Sequence, residues 1–160
     1  MLTFPYSDIV NTIAKNCVRF EWQLMTAESC TGGMVATALS TPAGASSWFR
    51  GSIVAYDSEI KQELLQVENS ILKQHGAVSE ATALAMCAGL KKWRANAGIS
   101  ITGIAGPNSD DSGSPVGLVW FGFITPQQHY AVRQQFNGDR DIVRDCATRY
   151  ALQKFSELEK

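Results

Sequence analysis

Histidine is nearly missing from this chain: the 160 residues hold only His75 and His129. Both fall in predicted turns, remote in sequence from the hydroxyl-rich segment around Ser29, so nothing recommends a serine–histidine pair. Cysteine is sparse too. Cys17, Cys30, Cys87 and Cys146 form no C-x-x-C pair and no Cys–His cluster, which removes the usual zinc spacing, and no metal or other cofactor is expected. Cys17 and Cys87 sit on apolar positions of helical segments, the pattern of reduced buried thiols, and the cytoplasm is the expected compartment. Fourteen basic residues against fifteen acidic ones leave a net charge of −1, so no electrostatic case exists for nucleic acid or an anionic membrane as partner. No apolar run approaches the roughly 18–20 residues that cross a bilayer. Met1–Asp8 has neither a basic nor an apolar leader region, so export is not expected. The phosphate loop G-x-x-x-x-G-K-[ST], the dinucleotide fingerprint G-x-G-x-x-G and the elbow G-x-S-x-G are also absent.

What is present reads as one folded domain over 1–160. A hydrophobic share of 45% against 18% charged residues is enough for a single core. Apolar residues recur at helical spacing from Ser7, as N-cap, to about Arg19, and Trp22–Thr26 is a short strand. Gly33–Ser40 reads as a helix and Gly51–Tyr56 as a strand. Ser58 is expected to cap a helix running through Leu65. Ser79 and Glu80 open a long alanine-rich helix to about Asn96, and Gly98–Thr102 is a strand. The runs 116–125 and 130–136 form a hairpin, and 139–158 is the closing helix. Helices alternate with strands early and antiparallel pairing comes late, so the expected fold is a three-layer α/β/α domain with a mixed sheet.

Two strand ends run into small, glycine-rich turns, Glu28–Gly33 and Thr102–Gly106. Parallel strands end on one edge of an α/β sheet, where ligands gather. The first turn offers the hydroxyls of Ser29 and Thr31, the thiol of Cys30, and Gly32 and Gly33 for close backbone approach. That suits an anion site, an activated nucleophile or an ordinary helix cap. Without histidine a serine needs another base, and a lysine kept neutral can serve. Lys61 would be the third helical residue after a Ser58 cap, where the helix dipole disfavours an ammonium by about 0.3–1 kcal/mol. Glu59 and Glu63 push the other way if they face it. Tyr56 could relay a proton or orient the amine, although a surface lysine and a core tyrosine would show the same spacing. Ser58–Lys61 also fits S-x-x-K, but Ser70–Lys73 fits it equally and no K-T-G or S-D-N companion exists.

The motifs in combination go further. Thr26–Gly33, Trp48–Gly51 with Tyr56 and Lys61, His75–Glu80, Thr102–Pro107, Pro115–Gly117 and Gly138–Arg140 occur in this order over nearly the whole chain. In this the sequence resembles the CinA C-terminal domain family, the stand-alone nicotinamide-nucleotide amidohydrolases. The resemblance implies deamidation of nicotinamide mononucleotide to the nicotinate nucleotide and ammonia, with no metal. Carried over by residue, it implies Ser29 as nucleophile, Lys61 as base and Tyr56 as its partner. Substrate contacts would come from Cys30, Thr31, Gly32 and Gly33, from Thr102 and Gly103, and from Arg140 or Arg144 at the 5′-phosphate. Family enzymes are often homo-oligomers, so a homo-oligomer is a further expectation. The chain departs from the family pattern at Asn108–Ser114, which lacks the usual glycine pair and lysine and carries Asp110 and Asp111 instead. Two alternatives follow from that loop: a non-catalytic paralogue that binds a pyridine nucleotide or related ligand, or an amidase for a different substrate, with Cys30 as another nucleophile.

Overall fold

The computed structural model describes residues 5–159. Two parallel strands without an exposed face set the architecture. β1 (Leu24–Glu28) is buried at every position and β3 (Ala97–Gly103) at all but the last. Strands covered on both faces belong at the centre of a parallel α/β sheet. With β2 (Phe49–Val54), β4 (Leu118–Ile124) and β5 (His129–Gln135) they form one sheet in the order β2-β1-β3-β4-β5. β2 and β3 both pair parallel to β1, with Glu28 opposite Val54 on one side and Ile101 on the other. β4 and β5 add antiparallel as the expected hairpin.

The helices divide the core in two. α1 (Ser7–Phe20), α2 (Met34–Leu39) and α6 (Arg140–Ser156) cover one face through Ile13, Val35, Leu39, Ala147 and Phe155. α3 (Ser58–Leu65), α4 (Asn69–His75) and α5 (Glu80–Gly89) cover the other around Leu65, Met86 and Leu90. The two-residue period of β1 sends Leu24 into the first core and Met25 and Ala27 into the second. This is the three-layer α/β/α fold with a mixed sheet. No helix among the described residues is long and apolar enough to cross a membrane.

The order of strands also locates a crevice. From β1 the chain crosses through α2 to β2 on one side, then through α3, α4 and α5 to β3 on the other. Such a reversal opens a gap at the carboxyl ends of the two central strands. Glu28 ends β1 and Gly103 ends β3, so both glycine-rich turns meet there.

Several boundaries differ from the sequence expectation. The cap of α3 is Asp57, whose carboxylate accepts from the Glu59 N–H at 2.7 Å; Ser58 is already helical. Lys61 is therefore the fourth helical residue, one step further from the dipole's positive end. Tyr6 occupies the N-cap position of α1, because its carbonyl accepts from the Val10 N–H, and Ser7 opens the helix. Ser79 does cap α5, accepting from the Thr82 N–H at 3.2 Å. That helix ends at Gly89 and tightens into a 3₁₀ segment, Leu90–Trp93, rather than continuing to Asn96. α4 was not expected at all. It is seven residues long, and only Ile71 and Leu72 pack against the core, too few to show a period.

Gly89 matters to the site because α3 lies directly on it. A β-carbon there would stand 2.0 Å from the Leu65 carbonyl oxygen, and backbone cannot swing aside as a side chain can. Gly89→Ala is expected to destabilise the fold by about 1–3 kcal/mol through overpacking, read as a lower urea midpoint. An unchanged midpoint would mean that α3 and α5 do not meet as described.

Candidate active site

The first glycine-rich turn is held from below by one carboxylate. Glu28, fully buried at the end of β1, accepts from Thr31 Oγ1 (2.7 Å) and from the backbone N–H groups of Gly33 (2.9 Å), Val35 (3.2 Å) and Ala36 (2.8 Å). Thr26 Oγ1 adds a donor at 3.2 Å. Those N–H groups are among the unpaired donors at the start of α2, so a strand residue caps a helix and fixes the turn between them. Above Glu28 the chain bends sharply. Ser29 N–H donates to the Ile101 carbonyl at 2.9 Å, and Gly32 N–H closes the turn on the Ser29 carbonyl at 3.0 Å. The left-handed backbone at Gly32 and Gly33 (φ 59° and 98°) is the reason for glycine at both positions.

Lys61 reaches this turn from the opposite side of β1. Its side chain is 1% exposed, and its Nζ lies 3.1 Å from Ser29 Oγ. The same nitrogen donates to the carbonyls of Ala55 (2.7 Å) and Tyr56 (3.2 Å). Burial pushes the amine below the ordinary lysine value of 10.5, against smaller opposing effects from Asp57 and Cys30. A neutral amine has two N–H bonds and one lone pair. Two carbonyl oxygens can only accept, so they take the N–H bonds and leave the lone pair facing the Ser29 hydroxyl. In its uncharged form the amine would face the Ser29 hydroxyl with its lone pair.

The second glycine-rich turn forms the other wall. Thr102 Oγ1 donates to the Ala77 carbonyl at 2.6 Å, which ties the end of β3 to the segment before α5. Gly103 presses on β4, where a β-carbon would stand 2.8 Å from the Leu118 carbonyl oxygen. Arg140, at the start of α6, spans the mouth. It donates from Nη1 to the Gly106 carbonyl (2.6 Å) and from Nη2 to the Tyr56 hydroxyl (2.7 Å). The space enclosed is about 270 Å³ and is bordered by Ser29, Lys61, Tyr56, Thr102, Arg140 and Asp110, among others. No histidine borders it, and no metal-binding group of three or more His, Cys, Asp or Glu residues occurs among the described residues.

The model of the CinA C-terminal domain family matches residues 7–158. The chain belongs to that family. It is 48% identical over 130 residues to the nicotinamide-nucleotide amidohydrolase PncC of Escherichia coli K12, covering 80% of this chain and 79% of that protein. A CinA-like protein of Petrotoga mobilis is 43% identical over 133 residues, 82% of this chain but 33% of that longer protein. Crystal structures agree with the fold. A competence damage-inducible protein A from Klebsiella pneumoniae superposes with a TM-score of 0.90 at 37% identity, covering 94% of each chain. A competence/damage-inducible protein from Agrobacterium tumefaciens gives 0.90 at 33% identity, covering 96% of each. These relationships support an amidohydrolase-type activity in general.

Within this CinA domain, seven of the residues singled out from the sequence border the cleft: Ser29, Cys30, Tyr56, Lys61, Thr102, Gly103 and Arg140. Thr31, Gly32 and Gly33 stand behind it, bonded to Glu28 or closing the turn. Arg144 does not border it either; its guanidinium lies on the carbonyls of Cys30 and Thr31. Cys30 is buried and its thiol is pushed up to about 12, chiefly by desolvation, which leaves it a poor nucleophile. Tyr56 is 58% exposed, and Lys61 meets it at the carbonyl. Its hydroxyl bonds to Arg140.

The residue that sequence reasoning passed over is Glu28. Its signal was available, since an acidic residue just ahead of a helix start complements the dipole. Glu28→Gln presents an amide NH₂ to donors that need acceptors, and is expected to cost about 2–4 kcal/mol in urea unfolding. Stability equal to wild type would remove Glu28 from its place as the cap of α2.

Proposed function

We propose that this chain is a serine amidohydrolase that deamidates nicotinamide mononucleotide, with Ser29 as nucleophile and Lys61 as general base. The observation that carries the reading is the 3.1 Å contact between a buried Lys61 amine and Ser29 Oγ. The nucleotide as substrate rests on similarity to the PncC enzymes.

The Lys61 lone pair takes the Ser29 hydroxyl proton as Oγ attacks the carboxamide carbon, and the carbonyl π electrons move onto oxygen. The pyridinium charge of the substrate makes that carbon more electrophilic. Gly32 and Gly33 N–H are already bonded, to the Ser29 carbonyl and Glu28, and Ser29 N–H is bonded to Ile101. Cys30 borders the cleft, and its N–H is assigned to the oxyanion. As the tetrahedral centre collapses, the C–N bond breaks and the Lys61 ammonium returns the proton to nitrogen, releasing ammonia. Water then attacks the acyl-enzyme, Lys61 takes its proton, and the C–Oγ bond breaks with that proton restored to Ser29. Overall, amide and water give carboxylic acid and ammonia.

Arg140 is assigned to the substrate's phosphate. Two of its five N–H donors are used, by Gly106 and Tyr56, and the residue borders the cleft. Tyr56 positions that guanidinium, and proton transfer runs directly between Ser29 and Lys61. A second reading draws on Asp110, which borders the same cleft. Its carboxylate would repel a phosphate, so an amide lacking one is the competing substrate class.

The test is ammonia release from nicotinamide mononucleotide and from its dephosphorylated riboside. Ser29→Ala and Lys61→Met are expected to lose about 10³-fold or more in kcat. Because the amine must be uncharged, kcat/KM should rise with pH to a plateau whose midpoint lies below 10.5. Faster turnover of the riboside would favour the second reading. Activity surviving in Ser29→Ala would overturn both.

A further inference from the structure

Ser29 and Thr102 are cross-strand neighbours on one face of the sheet. Glu28 stands opposite Ile101 in the ladder of β1 and β3, and the Ser29 N–H on the Ile101 carbonyl carries that register one step further. Side chains alternate between faces along a strand. Ile99 and Ile101 enter the core shared with α1, α2 and α6, so Ser100 and Thr102 face the layer of α3, α4 and α5. Their hydroxyls agree: Ser100 Oγ donates to the Ala83 carbonyl of α5 and Thr102 Oγ1 to that of Ala77 just before it, both at 2.6 Å. Ser29 Oγ meets Lys61 of α3 on the same side. Neighbouring strands lie about 4.8 Å apart, so a carbonyl carbon bonded to Ser29 Oγ has Thr102 within reach of its other substituents. Both residues border the cleft.

The hydroxyl of Thr102 has one role left to offer a ligand. A carbonyl oxygen cannot donate, so the 2.6 Å contact with Ala77 commits the single hydroxyl hydrogen of Thr102. The oxygen keeps acceptor lone pairs and has nothing to donate. Threonine is stiff at χ1, and this one is 1% exposed, so the hydroxyl stays in that setting. The reacting centre thus has two unlike sides: the Cys30 N–H assigned to the oxyanion, and an acceptor at Thr102. A carboxamide matches both, since its oxygen accepts and its NH₂ donates. A carboxylate presents oxygen on both sides, and one of these meets lone pairs.

We propose that Thr102 is a specificity residue: its oxygen accepts from the NH₂ of the substrate carboxamide, which fixes which way round the amide lies and turns away the carboxylate product. This rests on the amidohydrolase reading above. Swapping the two ends of the amide would set NH₂ against the Cys30 N–H and the carbonyl oxygen against the Thr102 oxygen. Two hydrogen bonds would be exchanged for two unmatched pairs. The contact is lost when ammonia departs, so the acid is held less tightly than the amide it came from. An ester, with no N–H to offer, gains nothing from Thr102.

The experiment compares wild type, Thr102→Ser and Thr102→Val, each first checked for folding by its urea midpoint. Substrates are nicotinamide mononucleotide, which water converts to acid and ammonia, and the methyl ester of nicotinate mononucleotide, which gives acid and methanol. The readout is the ratio of the amide and ester kcat/KM values. Thr102→Val keeps the shape without the oxygen, and its ratio is expected to fall about 10-fold, the scale of one hydrogen bond. Thr102→Ser keeps the oxygen and should keep the wild-type ratio. The inhibition constant of nicotinate mononucleotide should drop in Thr102→Val. Disturbed packing slows both reactions alike, so an unchanged ratio in folded Thr102→Val overturns the proposal. So does an inhibition constant that does not drop, or a ratio in Thr102→Ser as low as in Thr102→Val. If Thr102→Val does not fold, calorimetry on Ser29→Ala decides: weaker binding of acid than of amide supports the proposal, and equal or tighter binding overturns it. Wild type that releases no ammonia from the nucleotide overturns the functional reading alone. The ratio is then read with p-nitroacetanilide against p-nitrophenyl acetate, and cleavage of neither overturns both.

Discussion

A buried amine held between two carbonyls and a hydroxyl is what the cleft is built around. Lys61 is almost wholly buried, and its nitrogen meets two carbonyl oxygens and one hydroxyl. Desolvation works against the ammonium, and the nearest carboxylate that acts on it, Asp57, offsets only part of that. The chemistry assigned to the cleft follows from this balance. A charged Lys61 would be a hydrogen-bond donor to Ser29 and nothing more; an uncharged one is a base already in contact with the proton it removes.

The fold delivers this arrangement through the order of its strands. β1 carries Ser29 at its end, β2 brings Ala55 and Tyr56 alongside, and α3 returns Lys61 beneath them. Each backbone acceptor of the amine thus comes from the segment that links β2 to α3. On the other face of β1, Glu28 gathers the donors of α2 into a rigid base for the turn. Positive charge is kept near Ser29 but off it: Arg144 lies behind the turn and Arg140 across the mouth. Both come from the start of α6, four residues apart and so on one helical face.

Much of this was legible in the sequence because it depends on local signals. The strand-to-helix turns, the α/β alternation and the late hairpin all announce themselves through glycine placement and apolar period. The pairing of Lys61 with Ser29 is a different matter. The two lie 32 residues apart in sequence, and spacing alone could not separate a buried base from a surface lysine. The S-x-x-K match at Ser58 pointed at the right lysine for an unrelated reason, since the hydroxyl that Lys61 meets is not in that motif. Caps were misread where two candidates adjoin, as with Asp57 and Ser58, because either side chain can accept from the helix start. The contacts of Arg144 were hidden for a deeper reason: it meets backbone carbonyls, which no side-chain pattern records.

The protonation of Lys61 can be observed without any substrate. An NMR titration of the lysine Cε and Nζ resonances, assigned by the signal that Lys61→Met removes, reports it directly. Lys61 is predicted to titrate below 10.5, apart from the remaining lysines of the chain. A Lys61 midpoint at or above that value would mean that the amine is an ammonium at working pH, and the proposed base would not exist.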